Sequence, residues 1–567
     1  MAIHLKLSFF LLLLLFPTHN SLRLPAFLHL PKKSSKPLPV ETQFKLPSPL
    51  PTWPKGGGFA TGTIDLGGLQ VVQISSFSKI WATHEGGPDN LGASFYKPAS
   101  LPDGFFSLGS YAQPNNKALF GWVLAGKDIA GGTLKPPVDY TLVWTSESSK
   151  IKQDGNGYIW LPTPPAGYSA VGHVVTTSPE KPPLDEVRVV RSDFTDACGS
   201  DSWIWGHGND VNLSTLRPNG RGVQAQGVPV GTFLAQNGGN NSVSLSCLKN
   251  TNKSVSSMPN LSQIQALVQA YSPWIYFHPD EQFLPSSVGW FFRNGAQLYQ
   301  KGEETKPVFI EVTGSNLPQG GSDDGTYWLD LPANQSAKEQ VKKGSLQDAG
   351  VYLHVKPMLG GTFTDMAVWV FYPFNGAAKA KVEFVDVSLG KIGEHIGDWE
   401  HVTLRVSNFN GELKAVYFSQ HNGGMWVSAS ELEFQGGNKP VTYSALHSHA
   451  MCPKTGVVLM GNGGIGIRMD AAKGQVSMDA GAGFLAVAVD HLESSTVVEP
   501  PWLNYARGWG PKIEYDIDDE AKNVEEALPG KLKDKFQNFI RSLPREVLGE
   551  QGPTGPKMKD NWSGDER

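Results

Sequence analysis

Between Gly393 and Val406 the chain reads Gly-Glu-His-Ile-Gly-Asp-Trp-Glu-His-Val-Thr-Leu-Arg-Val, and this run constrains the fold strongly. Val402, Leu404 and Val406 share a parity, so on a pleated strand they share one face. Asp398 and Glu400 have the same parity and should stand at the mouth of a core-facing strand, pointing inward. Two bare carboxylates so placed repel each other and lose hydration. A bound cation would remove both penalties, and oxygen ligands with one imidazole, His395, suit Ca²⁺, Mg²⁺ or Mn²⁺ better than structural zinc. The alternative is a surface turn whose charges are solvated or met by Arg, Lys or backbone N–H groups.

The rest of the chain points to a mainly β protein. With 63 Gly, 41 Pro and 16 Trp in 567 residues, turns are frequent and long helices are not expected. That length exceeds one core. A net charge of −5 gives no reason to expect nucleic acid. Three cysteines, Cys198, Cys247 and Cys452, form no CxxC pair; either Cys198 and Cys247 are bridged or all three are buried thiols.

Residues 1–23 carry a signal-like hydrophobic leader, with Lys6 before the apolar run Leu7–Phe16. Residues 24–55 are rich in Pro, Ser and Lys and read as an extended linker. Within 56–255 the segment from Pro102 to Gly109 recurs from Pro165 to Gly172, and Gly227–Phe233 reads as a degenerate third copy. Three β-rich units suggest a β-prism-like domain. Leu261–Tyr271 reads as a short amphipathic helix opening a second domain, 261–516, with the turn-and-strand pattern of a β-sandwich. Residues 517–567 read as a helical appendix and a polar tail.

The stretches Gly397-Asp398-Trp399-Glu400-His401, Tyr417-Phe418-Ser419-Gln420-His421-Asn422-Gly423-Gly424 and Ala445-Leu446-His447-Ser448-His449-Ala450 together resemble the vacuolar protein sorting-associated protein 62 family, including its plant branch. The second domain also resembles, more distantly, the necrosis- and ethylene-inducing peptide-like cytolysins, which are β-sandwiches with a cation-holding heptad. That resemblance implies a cytolysin-like β-sandwich with short helices, and metal positions at His395, Asp398, Glu400 and Asn375. Here Gly397 replaces the family's second His, and Asn375 stands where an Asp ends the preceding strand.

Val441, Tyr443, Ala445, His447 and His449 share a parity, so His447 and His449 could point together into a pocket, with His421 adding a third imidazole. The leading expectation is a non-catalytic module that binds membrane lipid or glycolipid headgroups with a divalent cation, linked to vacuolar or endosomal sorting. No catalytic residue is assigned. One alternative is a metal-dependent hydrolase with His447 or His449 as base. Another is a structural scaffold without metal. The leader implies the secretory pathway or an endomembrane, or the cytoplasmic face of membranes if it is not a signal. Arg405 and Lys414 read as solvated.

Overall fold

A computed structural model describes residues 37–208, 210–238, 242–252, 255–420, 423–462, 464–512, 517–526, 528–543, 548 and 552–566. The leader, the first part of the Pro/Ser/Lys-rich stretch and His421 lie outside the described residues. Leu38–Arg567 forms one compact unit.

The expected mainly β architecture is what the chain adopts. The N-terminal part is built of short sheets whose aromatic residues meet in shared cores. Trp81, Phe95, Trp144, Ile159, Trp205 and Phe233 pack in one of them. Trp81 and Trp205 are fully buried, whereas Trp203 is exposed. Cys198 and Cys247 form a disulfide, and Cys452 is a buried thiol.

The larger C-terminal part is organised by a six-stranded sheet. Its order is Gly423–Ser428, Leu413–Gln420, His395–Ser407, Phe363–Asn375, Val351–Met358, Phe484–Val489. All neighbours run antiparallel except the last two, which are parallel. The two long central strands pair Asp365 with Arg405, Trp369 with His401, Tyr372 with Asp398 and Asn375 with His395. Alternation sorts their side chains cleanly. Val402, Leu404, Val406, Val368 and Val370 enter a core shared with the Leu261–Tyr271 helix and the Trp274–Phe277 strand. On the other face, Trp399, Trp369 and Phe371 join an aromatic core with Trp502, Tyr505 and Trp509.

The helix at Leu261–Tyr271 starts where its sequence says it should. Asn260 accepts from the Gln263 amide while the Gln263 side chain accepts from the Asn260 amide, a capping box. Ile264, Leu267, Val268 and Tyr271 form its buried stripe.

Two expectations are corrected here. Arg405 and Lys414 are not solvated: both are buried. Arg405 grips the carboxylate of Asp365 with two bonds of 2.8 and 2.6 Å, and Lys414 donates to Glu412 while its ammonium lies 4.7 Å from the Phe120 ring centre. The stretch from Leu38 to Lys55 is not a detached linker. Phe44 exchanges backbone bonds with the Leu119 region, Ser48 pairs with the Asn438 side chain, and Trp53 sits between Phe59 and Tyr271.

Candidate functional site

The carboxylates predicted to crowd the strand mouth are buried, and each has a protein partner. Gly397 sets the local geometry. Its φ is +69°, a left-handed value, and a Cβ there would meet the Trp509 carbonyl oxygen at 2.6 Å. Only glycine fits, which is the physical reason a histidine cannot occupy this position in this chain. The kink interrupts the alternation of the strand, so that Ile396 packs toward the aromatic core while Asp398 turns the other way.

Asp398 is met by His449, whose Nδ1 lies 2.8 Å from its Oδ2. The other ring nitrogen, Nε2, lies 3.0 Å from the Phe283 carbonyl oxygen. Both partners are acceptors, so two donated hydrogen bonds require the imidazolium form. The ring lies flat on Tyr372, 3.8 Å between centres at 6°. Burial pushes the Asp398 carboxyl upward, but the His449 hydrogen bond and the charges of His395, His449 and Lys559 outweigh it and hold the group below its ordinary value. Glu400 accepts from the Ser419 hydroxyl. Asn375 donates to the carbonyls of Gly376 and Gly393, at 3.0 and 2.7 Å, across from its register partner His395.

His447 and His449 do not continue the face of Val441, Tyr443 and Ala445. The strand ends at Ser444, and residues 446–448 turn. The Ala445 amide bonds to the Ala450 carbonyl and the His449 amide to the Ala445 carbonyl, which closes the chain into a tight loop. His447 and His449 both take left-handed φ, +65° and +53°. The loop nevertheless carries both rings toward the same corner. His447 Nδ1 donates to the Ala377 carbonyl at 2.9 Å, and the His447 amide donates to Glu281 at 2.7 Å.

Glu281, Tyr372 and Ser419 are the members of this cluster that the sequence reading did not single out. Glu281 has a buried side chain whose second oxygen receives the amides of Gln282 and Phe283. The signal available in advance was the acidic pair Asp280-Glu281 in an otherwise aromatic and proline-rich loop.

Among the described residues, no three His, Cys, Asp or Glu side chains are grouped to hold a metal ion. Asp398 is hydrogen-bonded to His449, so a divalent cation at Asp398 would have to displace that imidazole. With both nitrogens engaged, His449 also has none to offer a substrate or a water.

His395, Asp398, Glu400 and Asn375 line a cleft of about 1400 Å³. Ser419 joins them, and Met460, Ile467, Phe539 and Leu543 contribute apolar wall. Phe539 and Leu543 belong to, or follow, the helix Gly530–Arg541, so the C-terminal appendix borders the site.

Among solved structures, GNIP1Aa from Chromobacterium piscinae is similar at 20% identity, over 36% of this chain and 40% of that one, with a TM-score of 0.28. A structure of NLPPya in complex with glucosamine is 14% identical over 37% of this chain and 70% of that one, with a TM-score of 0.20. Non-toxic HaNLP3 is 10% identical over 41% and 76%, with a TM-score of 0.21. Scores this low carry no weight for ligand or activity. Vacuolar protein sorting-associated protein 62 of Saccharomyces cerevisiae is 25% identical over 191 residues, which span 30% of this chain and 38% of that relative. A family profile described as Vacuolar protein sorting-associated protein 62 matches residues 40–566. The chain belongs to the vacuolar protein sorting-associated protein 62 family.

Proposed function

We propose that this chain is a non-catalytic binding module in vacuolar protein sorting, and that its cleft takes the polar headgroup of a membrane lipid or glycolipid. The observation that supports this is the mixed lining of the cleft, which combines Asp398, Glu400 and Ser419 with Met460, Ile467 and Phe539. Sugar hydroxyls donate well to carboxylates, and the apolar wall suits the less polar faces of the same ligand. Assistance by Ca²⁺, Mg²⁺ or Mn²⁺ is a separate part of the proposal, because Asp398 would have to exchange His449 for the ion. Among the described residues no helix is long and apolar enough to cross a membrane. Attachment through the headgroup is the form of binding proposed.

Sedimentation of the full chain with phosphatidylcholine vesicles, with and without a glycosylated sphingolipid, tests the reading. Glycolipid vesicles should retain about tenfold more protein, and Glu400→Gln should remove most of that difference. Equal retention on both vesicle types would overturn the headgroup assignment. Retention unchanged by a chelator would remove the cation and leave the headgroup reading intact.

A further inference from the structure

The face of the His395–Ser407 strand opposite Asp398 and Glu400 holds His401, Thr403 and Arg405, and the chain's own C-terminus lies against it. Glu566 accepts from Thr403 Oγ1 at 2.7 Å and lies 3.3 Å from His401 Nε2. Asp565 accepts from Arg405 at 2.8 Å and pairs with Arg217 of the N-terminal part. Lys356 Nζ donates to the Asn561 carbonyl at 2.7 Å and lies 3.5 Å from Glu566. Trp426 Nε1 donates to the Glu566 carbonyl, and the Val223 amide to the Ser563 carbonyl. The Trp562 ring stacks on His354, with centres 3.8 Å apart.

These contacts have the parts of a peptide-recognition groove: an aromatic anchor, a matched carboxylate pair, and main-chain bonds between them. Lys356, Arg405 and Arg217 are buried or nearly so. Without the tail, Asp365 and Asp201 would be the anions facing these three and Arg221. That surplus of buried positive charge calls for an acidic occupant.

We propose that this groove is a binding site for acidic peptides of the pattern Trp-x-x-Asp-Glu, occupied here in cis by Trp562–Glu566, and that an acidic segment of a partner protein exchanges with the tail. This goes beyond headgroup binding and uses the odd-numbered side chains of the strand, with His401, Asn561 and Asp565 also lining the cleft that holds Asp398 and Glu400.

The test uses a fluorescent synthetic peptide of residues 556–567 and the full chain. A chain carrying Trp562→Ala and Glu566→Gln should bind the peptide about tenfold more tightly than wild type does. A peptide with Asn and Gln in place of its Asp-Glu pair should bind about tenfold more weakly. In the unaltered protein, excess peptide should speed exchange of the Val223 amide, whose partner Ser563 departs with the tail. A folded variant that binds no peptide at millimolar concentration overturns the proposal. So does a variant that fails to fold, since the tail is then an integral part of the core, and so does wild-type exchange at Val223 indifferent to peptide.

Discussion

His449 gives Nδ1–H to Asp398 across 2.8 Å while its ring lies flat on Tyr372. The two form a buried ion pair where the sequence suggested a cation. Removing one partner strands the other in a poorly hydrated corner. His449→Ala should therefore lower stability by about 3–5 kcal/mol, and adding Asp398→Asn to it should recover part of that loss. Denaturant midpoints of the two single variants and the double variant measure the coupling.

The same pair sets an acid response. Asp398 titrates below its ordinary value when folded, so its contribution is complete above the unfolded value of about 4 and is lost as pH falls through the folded one. Glu566 behaves alike. Burial would raise it, but the His401 charge and hydrogen bond and the Lys356 charge hold it well below the usual carboxylate range. Trp562 fluorescence should report release of the tail only on acidification below about pH 4, and Glu566→Gln should flatten that dependence.

Gly397→Ala should be costly out of proportion to one methyl group. It forces a left-handed alanine and drives a carbon to 2.6 Å from the Trp509 carbonyl oxygen, closer than van der Waals contact admits. A loss of about 2 kcal/mol or more, read as a drop in thermal midpoint, is expected.

Arg405 ties Asp365 on the neighbouring strand to Asp565 at the chain terminus. Arg405→Ala should cost about 3–5 kcal/mol because Asp365 is fully buried. Arg405→Lys should recover only part, since an ammonium cannot reproduce the two-pronged bond. Chemical denaturation of both variants separates charge from geometry.

Millimolar Ca²⁺, Mg²⁺ or Mn²⁺ should raise the melting temperature of the unaltered protein only slightly, because the ion must first displace His449 from Asp398. In His449→Ala the ion has a vacated carboxylate to meet, and a rise of a few degrees is expected. An equal rise in the unaltered protein would show that the ion displaces the imidazole without cost.

Strand parity carried the inward placement of Asp398 and Glu400, and a 3.6-residue apolar stripe with Asn260 before it carried the helix at Leu261–Tyr271. Both are local patterns. The loop holding His447 and His449 was not legible, because two histidines in left-handed conformation leave no glycine to announce them. Closure of that loop depends on backbone bonds. Nor was the burial of Asp565 and Glu566 legible: as sequence they are two charges at a polar end. Their partners Arg217, Lys356, His401 and Arg405 lie 160 or more positions away, beyond the reach of any periodicity. Arg405 misled for the same reason, since its matching acid sits on another strand.

The docking of Leu38–Lys55 has a mechanical consequence. Phe44 touches Phe120 on the N-terminal side and Phe434 on the other, and Trp53 leans on Tyr271. From the opposite terminus, Asp565 reaches both Arg217 and Arg405. The stretches Leu38–Lys55 and Trp562–Glu566 each bridge the N-terminal and C-terminal parts. Cutting either stretch should loosen the two parts together, like a binding cut along one edge.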